Sequence, residues 1–137
     1  ISACLVGSEM CIRDREYTPQ NSEEATHTSM ISKELGFIDW TKPAVEIERL
    51  IRGLNPWPSA YTHLNGKTFK VWSAKVIDGS DDYEPGCIYH IGKNDMYVQT
   101  GKGALSLVEV QLQGKKRMDT GSFLRGCHVE EGSFFTL

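Results

Sequence analysis

Three adjacent cations stand at Lys115, Lys116 and Arg117, directly after Gly114. Over residues 100–126 the basic side chains Lys102, Lys115, Lys116, Arg117 and Arg125 are opposed only by Glu109 and Asp119. A phosphate backbone needs such a cluster, because its neutralisation releases condensed counterions. Charge alone fits a solvated polar turn at least as well. A second group, Lys67, Lys70 and Lys75, brackets Phe69 and Trp72. Interleaved cations and rings can stack bases. The simpler expectation is an ordinary strand with a lysine-lined outer face and its aromatics in the core. Asn55-Pro56-Trp57-Pro58 sets a large ring between two prolines. It could present Trp57 to a ligand, but the expectation is an indole buried to anchor a helix on its neighbours.

No set of residues assembles an active site. His27, His63, His90 and His128 stand in unrelated contexts. The sequence has no carboxylate dyad, nucleophile elbow or P-loop, and Gly101-Lys102-Gly103 is too short for a dinucleotide fingerprint. Cys4, Cys11, Cys87 and Cys127 include no CxxC pair and are too scattered for a disulfide framework, so free thiols are expected. The histidines lack ligand spacing to these cysteines, which argues against zinc.

The 137 residues suit one domain with a modest core. Net charge is -3. Residues 1–25 carry all of that excess, with two basic and five acidic side chains, while the remainder is balanced at 13 of each. Bulk charge therefore supplies no nucleic-acid surface, and any such surface must come from clustering. No apolar run approaches the ~20 residues that span a bilayer, so no membrane partner is expected. Residues 1–15, ISACLVGSEMCIRDR, look like a translated sequencing adapter and are expected to be a non-native leader.

These groups need elements to position them. Residues 16–40 read as a polar linker with a short apolar entry segment. Thr41 and Pro43 suit a helix start, and Val45, Ile47, Leu50, Ile51 and Leu54 recur at helical spacing. Gly53 and Asn55-Pro56 should stop that helix. The period then changes to two. Asn65-Gly66 is a hairpin signal between short alternating runs. Further runs at residues 87–91, 96–99 and 104–112 are separated by turn residues, and residues 119–125 suggest a short helix capped by Asp119 or Thr120. The fold class is mainly β with short helices: an OB-like, partly open antiparallel barrel preceded by one helix, over residues 41–137.

Several blocks occur in order along residues 25–137: Ile31-Ser32-Lys33-Glu34, Ile38-Asp39-Trp40, Ile51 to Pro58, Leu64-Asn65-Gly66-Lys67, Val71-Trp72, Glu84-Pro85-Gly86, Gly101 to Leu105, Gly114 to Met118, and Phe123-Leu124-Arg125-Gly126. Together they resemble the linker and C-terminal domain of bacterial methionyl-tRNA formyltransferases. The resemblance implies a formyl transferase that modifies the methionine amino group of initiator methionyl-tRNA, with 10-formyltetrahydrofolate as donor. In that family a Rossmann-like N-terminal domain carries the catalytic Asn, His and Asp, and none of that pattern is in this sequence. The chain is thus expected to hold no catalytic residue, cofactor or metal, and to be inactive alone. The resemblance further implies a monomeric, cytoplasmic enzyme. The family holds tRNA through a basic barrel face and its linker, which maps here to Lys33, Lys115, Lys116, Arg117 and Arg125. Two alternatives remain. One is a support barrel of a related folate-dependent formyltransferase or hydrolase. The other is a stand-alone interaction barrel.

One departure bears on the site. After Phe-Leu-Arg-Gly the family often continues with two basic residues, whereas this chain has Cys127-His128 followed by Glu130-Glu131. That weakens a tRNA contact at the extreme C-terminus and favours the Lys115–Arg117 turn.

Overall fold

The computed structural model describes residues 17–136. The expected leader, with Cys4 and Cys11, lies outside the described residues. The chain divides into two compact units, Ile1–Met30 and Ile31–Leu137. In the first, the described residues are exposed and contain one 3-10 turn, Ser22–Glu24, whose Asn21 side chain accepts a bond from the Glu23 amide.

The second unit is an antiparallel sheet with two helices. The order along the chain is α1 (Ala44–Gly53), β1 (Ala60–Leu64), β2 (Lys67–Ile77), β3 (Ile88–Ile91), β4 (Met96–Gln99), β5 (Ala104–Leu112), β6 (Met118–Asp119) and α2 (Thr120–Gly126). The strands lie in the order β1-β2-β5-β4-β3, with β6 on β5. This path does not close on itself, so the barrel is partly open. Residues 133–136 lie across the gap: the Ile88 amide donates to Ser133 O, the Phe135 amide to Gly86 O, and the Thr136 amide to His63 O. The last residues therefore join β1 to the start of β3.

Local chemistry explains the element boundaries. Asn65 (φ 50) and Gly66 (φ 76) make the positive-φ turn of the β1–β2 hairpin. Helix α1 starts two residues later than a Thr41 cap implies. Asp39 takes both the amide and the hydroxyl of Thr41, and Pro43 stands at the N-cap. The first helical amide, that of Ala44, donates to Lys102 O. Gly53 ends the helix from inside it, and Leu54 is the C-cap. The buried stripe is Ala44, Ile47 and Ile51; Val45, expected on it, is 43% exposed. Gly101 is the matching joint in the sheet. Its amide donates to Trp40 O, and a Cβ there would run into Thr41 O. Helix α2 is capped by Asp119, which accepts from the Ser122 amide at 2.9 Å.

Inside, Phe135 lies between Trp40 and Phe69, with ring centroids 5.2 Å from each, and Phe69 meets Phe123 edge-on at 5.3 Å. The Trp40 indole N–H donates to Thr62 Oγ1, so its one polar atom is satisfied. Ile38 and Trp40 are fully buried, so the last ten residues of the expected linker supply core side chains. Cys87 and Cys127 are free thiols, and burial followed by the nearby Glu84 charge raises the Cys87 pKa.

Candidate nucleic-acid interface

The Gly114–Arg117 turn links β5 to β6. Gly114 (φ 80) opens it, the Lys115 amide donates to Leu112 O, and the Gln111 side-chain amide ties down Lys115 O. Its three cations do not act as one patch. The Lys115 ammonium reaches the C-terminal end of α2, 3.4 Å from Gly126 O and 3.2 Å from Cys127 Sγ. A cation there suits the helix dipole. Lys116 is exposed and has no side-chain partner among the described residues. Arg117 turns the other way. Its guanidinium lies 4.8 Å over the Trp72 ring and donates from Nε and Nη2 to Glu109 Oε2.

Arg125 points along α2, with Nη2 3.0 Å from Ser122 Oγ. One groove brings it beside Lys75, Asn94, Asp95, Ser106 and Asp119. Another brings it beside Lys93, Cys127 and His128. Asp119 stays ionised in the first groove: the Ser122 hydroxyl, then the Ser122 amide, hold its pKa below the ordinary carboxylate value, with Arg125 a lesser cause. Lys33 is exposed at the head of the Glu34–Gly36 3-10 turn and shares no hydrogen bond or ion pair with the other four. The structure thus gathers Lys115, Lys116 and Arg125 around β6 and α2, pins Arg117 aside, and leaves Lys33 apart.

Lys93 was legible only as a turn residue, and Lys75 as a member of the Lys67, Lys70 and Lys75 group, with a lysine-lined outer face the simpler reading. Strand register brings them to Arg125. The Cys127-His128 departure has a structural counterpart, because Cys127 receives Lys115 and the His128 imidazole lies 3.4 Å from Glu130. In the β2 group, Phe69 is core, but Trp72 is not. It sits in a register irregularity between Val71 and Ser73, outside the core, with Lys70 at 5.8 Å and Arg117 at 4.8 Å. Trp57 corrects its expectation more sharply, since it is 59% exposed. The Ser59 amide donates to Leu54 O, closing a short loop that pushes Trp57 outward. Among the described residues no three His, Cys, Asp or Glu side chains converge on a metal-sized site, and no helix is long and apolar enough to cross a membrane.

A family model for the formyl transferase C-terminal domain matches residues 30–128. The methionyl-tRNA formyltransferase of Agathobacter rectalis is 89% identical over 139 aligned residues, covering 96% of this chain and 45% of that protein. That of Lachnospira eligens is 48% identical, covering 82% of this chain and 38% of its own length. The chain therefore spans less than half the length of these curated relatives. Among solved structures, HypX from Aquifex aeolicus superposes with a TM-score of 0.58 at 18% identity, over 98% of this chain and 26% of that one. That likeness is one of fold.

Proposed function

We propose, since this chain belongs to the formyl transferase C-terminal domain family, that it is the tRNA-holding part of a methionyl-tRNA formyltransferase. The 89% identity to a relative of that name carries this reading. The whole enzyme would move a formyl group from 10-formyltetrahydrofolate to the methionine amino group of initiator methionyl-tRNA. A Rossmann-like domain ahead of this one would supply the catalytic Asn, His and Asp and bind the donor. This chain would contribute binding and orientation alone, as a monomer in the cytoplasm.

The geometry favours a contact centred on β6 and α2. Lys115, Lys116 and Arg125 are exposed there, with Lys75 and Lys93 alongside. Phosphates can reach these cations, and phosphate contacts fix orientation without reading sequence. Arg117 stays outside this contact, because Glu109 already holds its charge. Lys33 would touch tRNA separately, from the segment before α1. The role of such a surface is to fix the tRNA so that its aminoacyl end enters a neighbouring active site. Holding the reacting groups in place removes an entropic part of the barrier.

Gel shift of residues 1–137 against initiator tRNA at low salt tests the reading. A retarded complex that salt dissolves is expected. Absence of binding at low salt would instead assign the barrel a supporting role in a related folate-dependent enzyme.

A further inference from the structure

A second feature lies on the outer face of the sheet. Strand β3 carries an irregularity against β4: Ile88 pairs with Val98, yet His90 pairs with Tyr97. The extra residue is Tyr89. A bulge of this kind lets two successive side chains leave the core side. Ile88 is fully buried, whereas Tyr89 and His90 are half-buried and exposed. Tyr97 faces out beside them and pairs across β5 with Ser106, which in turn pairs with Lys75 on β2. One cross-strand row thus runs His90, Tyr97, Ser106, Lys75.

Rings extend that row. Tyr83, 45% exposed, stacks on Tyr89 with centroids 5.0 Å apart and planes inclined by 17°. Tyr89 lies 6.2 Å from Tyr97, and His90 lies 4.8 Å from Tyr97. Burial, with the neighbouring Tyr97 and Tyr83, pushes the Tyr89 phenol up. The Tyr89 ring therefore carries no charge near neutral pH. Its Ser106 end opens into the groove that holds Lys75 and Arg125. The other end meets the acidic loop at Asp81 and Asp82. In that groove Lys75 and Arg125 stand among Asn94, Asp95 and Asp119.

We propose that Tyr83, Tyr89 and Tyr97 form a stacking face for unpaired RNA bases, with Lys75 and Arg125 holding the adjoining phosphates. The inference rests on the tRNA reading and adds to it a class of nucleotide, the unpaired one. Every base has a π-face, so such a strip accepts any sequence, while a continuous duplex offers it no ring. A basic surface by itself makes no such distinction.

The test compares single-stranded oligouridine with a blunt RNA duplex of equal phosphate count, both titrated into residues 1–137. The double variant Tyr89→Leu/Tyr97→Leu should weaken oligouridine binding by roughly tenfold or more and leave duplex binding unchanged. Tyr89→Phe/Tyr97→Phe keeps the rings and should keep binding. Equal loss on both RNAs, or full oligouridine binding by the leucine variant, overturns the proposal. Nuclear magnetic resonance of the unsubstituted chain is independent of variant folding. Oligouridine should move the tyrosine ring protons. Binding without ring shifts overturns the proposal, as do rings that shift only when a formyltransferase catalytic domain is added. Lys115→Ala/Lys116→Ala separates the two readings. If it fails to weaken duplex binding, the phosphate surface itself is wrong. If it weakens duplex binding while the leucine variant holds oligouridine normally, only the ring strip is wrong.

Discussion

The two ends of one turn, Lys115 and Arg117, separated by a single residue, belong to different regions of the molecule. Arg117 lies over Trp72 and against Glu109, whose aromatic face and carboxylate neutralise and hold it. Lys115 reaches the end of α2, where a carbonyl and a thiol meet it, and Lys116 is exposed to solvent just before β6. The first region spends its cation on internal structure. The second keeps its charge available to an outside anion. Adjacent like charges in a sequence therefore need not form one patch, since partners brought by distant strands decide which of them remain free.

Trp72→Ala should break the pinned region most. It removes a half-buried indole, its N–H bond to Gln111 and the platform for Arg117. A loss of about 2 kcal/mol in denaturant unfolding is expected, with duplex RNA binding unchanged. Loss of RNA binding without loss of stability would erase the distinction between the regions. Arg117→Ala should do less. Its ion pair is solvent-exposed on both sides, and such pairs contribute about 0.2–1 kcal/mol. The salt dependence of RNA binding should stay as in the parent, whereas a shallower slope would return Arg117 to the binding surface.

The effect that pH resolves belongs to Asp119. Its folded pKa lies below the ordinary value because Ser122 bonds the ionised form. Its contribution to stability is therefore present above the ordinary carboxylate pKa and is lost as pH falls through the depressed folded value. Asp119→Ala should lower Tm slightly at neutral pH, and the gap to the parent should close as pH drops below about 4. A gap that persists in acid would mean that Asp119 acts other than as an ionised cap.

Much of the fold was legible because its signals are local. Asn65-Gly66 marked the hairpin, alternation marked β5 at residues 104–112, and the Asp119-Thr120 pair marked the α2 cap, which the structure gives to Asp119. The irregularities were not legible. The periods at Trp72 and Tyr89 look regular along the chain, and the bulges exist only relative to β5 and β4. Trp57 was expected inside because its size and prolines suggest an anchor, but the Ser59–Leu54 bond closes the loop beneath it. For the site, Lys115 and Lys116 stood out as a run. The placement of Lys75 and Lys93 beside Arg125 did not, because only sheet order brings them there. The closing role of residues 133–136 likewise needs partners more than forty residues away, Gly86 and His63.

On the proposed function, the exposed cations around β6 and α2 hold tRNA. The most direct measurement is initiator-tRNA affinity against salt for residues 1–137 and for Lys115→Ala/Lys116→Ala/Arg125→Ala. With roughly four phosphates neutralised, the parent log–log slope should be about −3 to −4. Each lysine or arginine that contacts a phosphate adds about one to that slope, so the variant should retain a slope of about −1 or less in size and bind weakly at every salt concentration. Superimposable parent and variant lines would contradict the account.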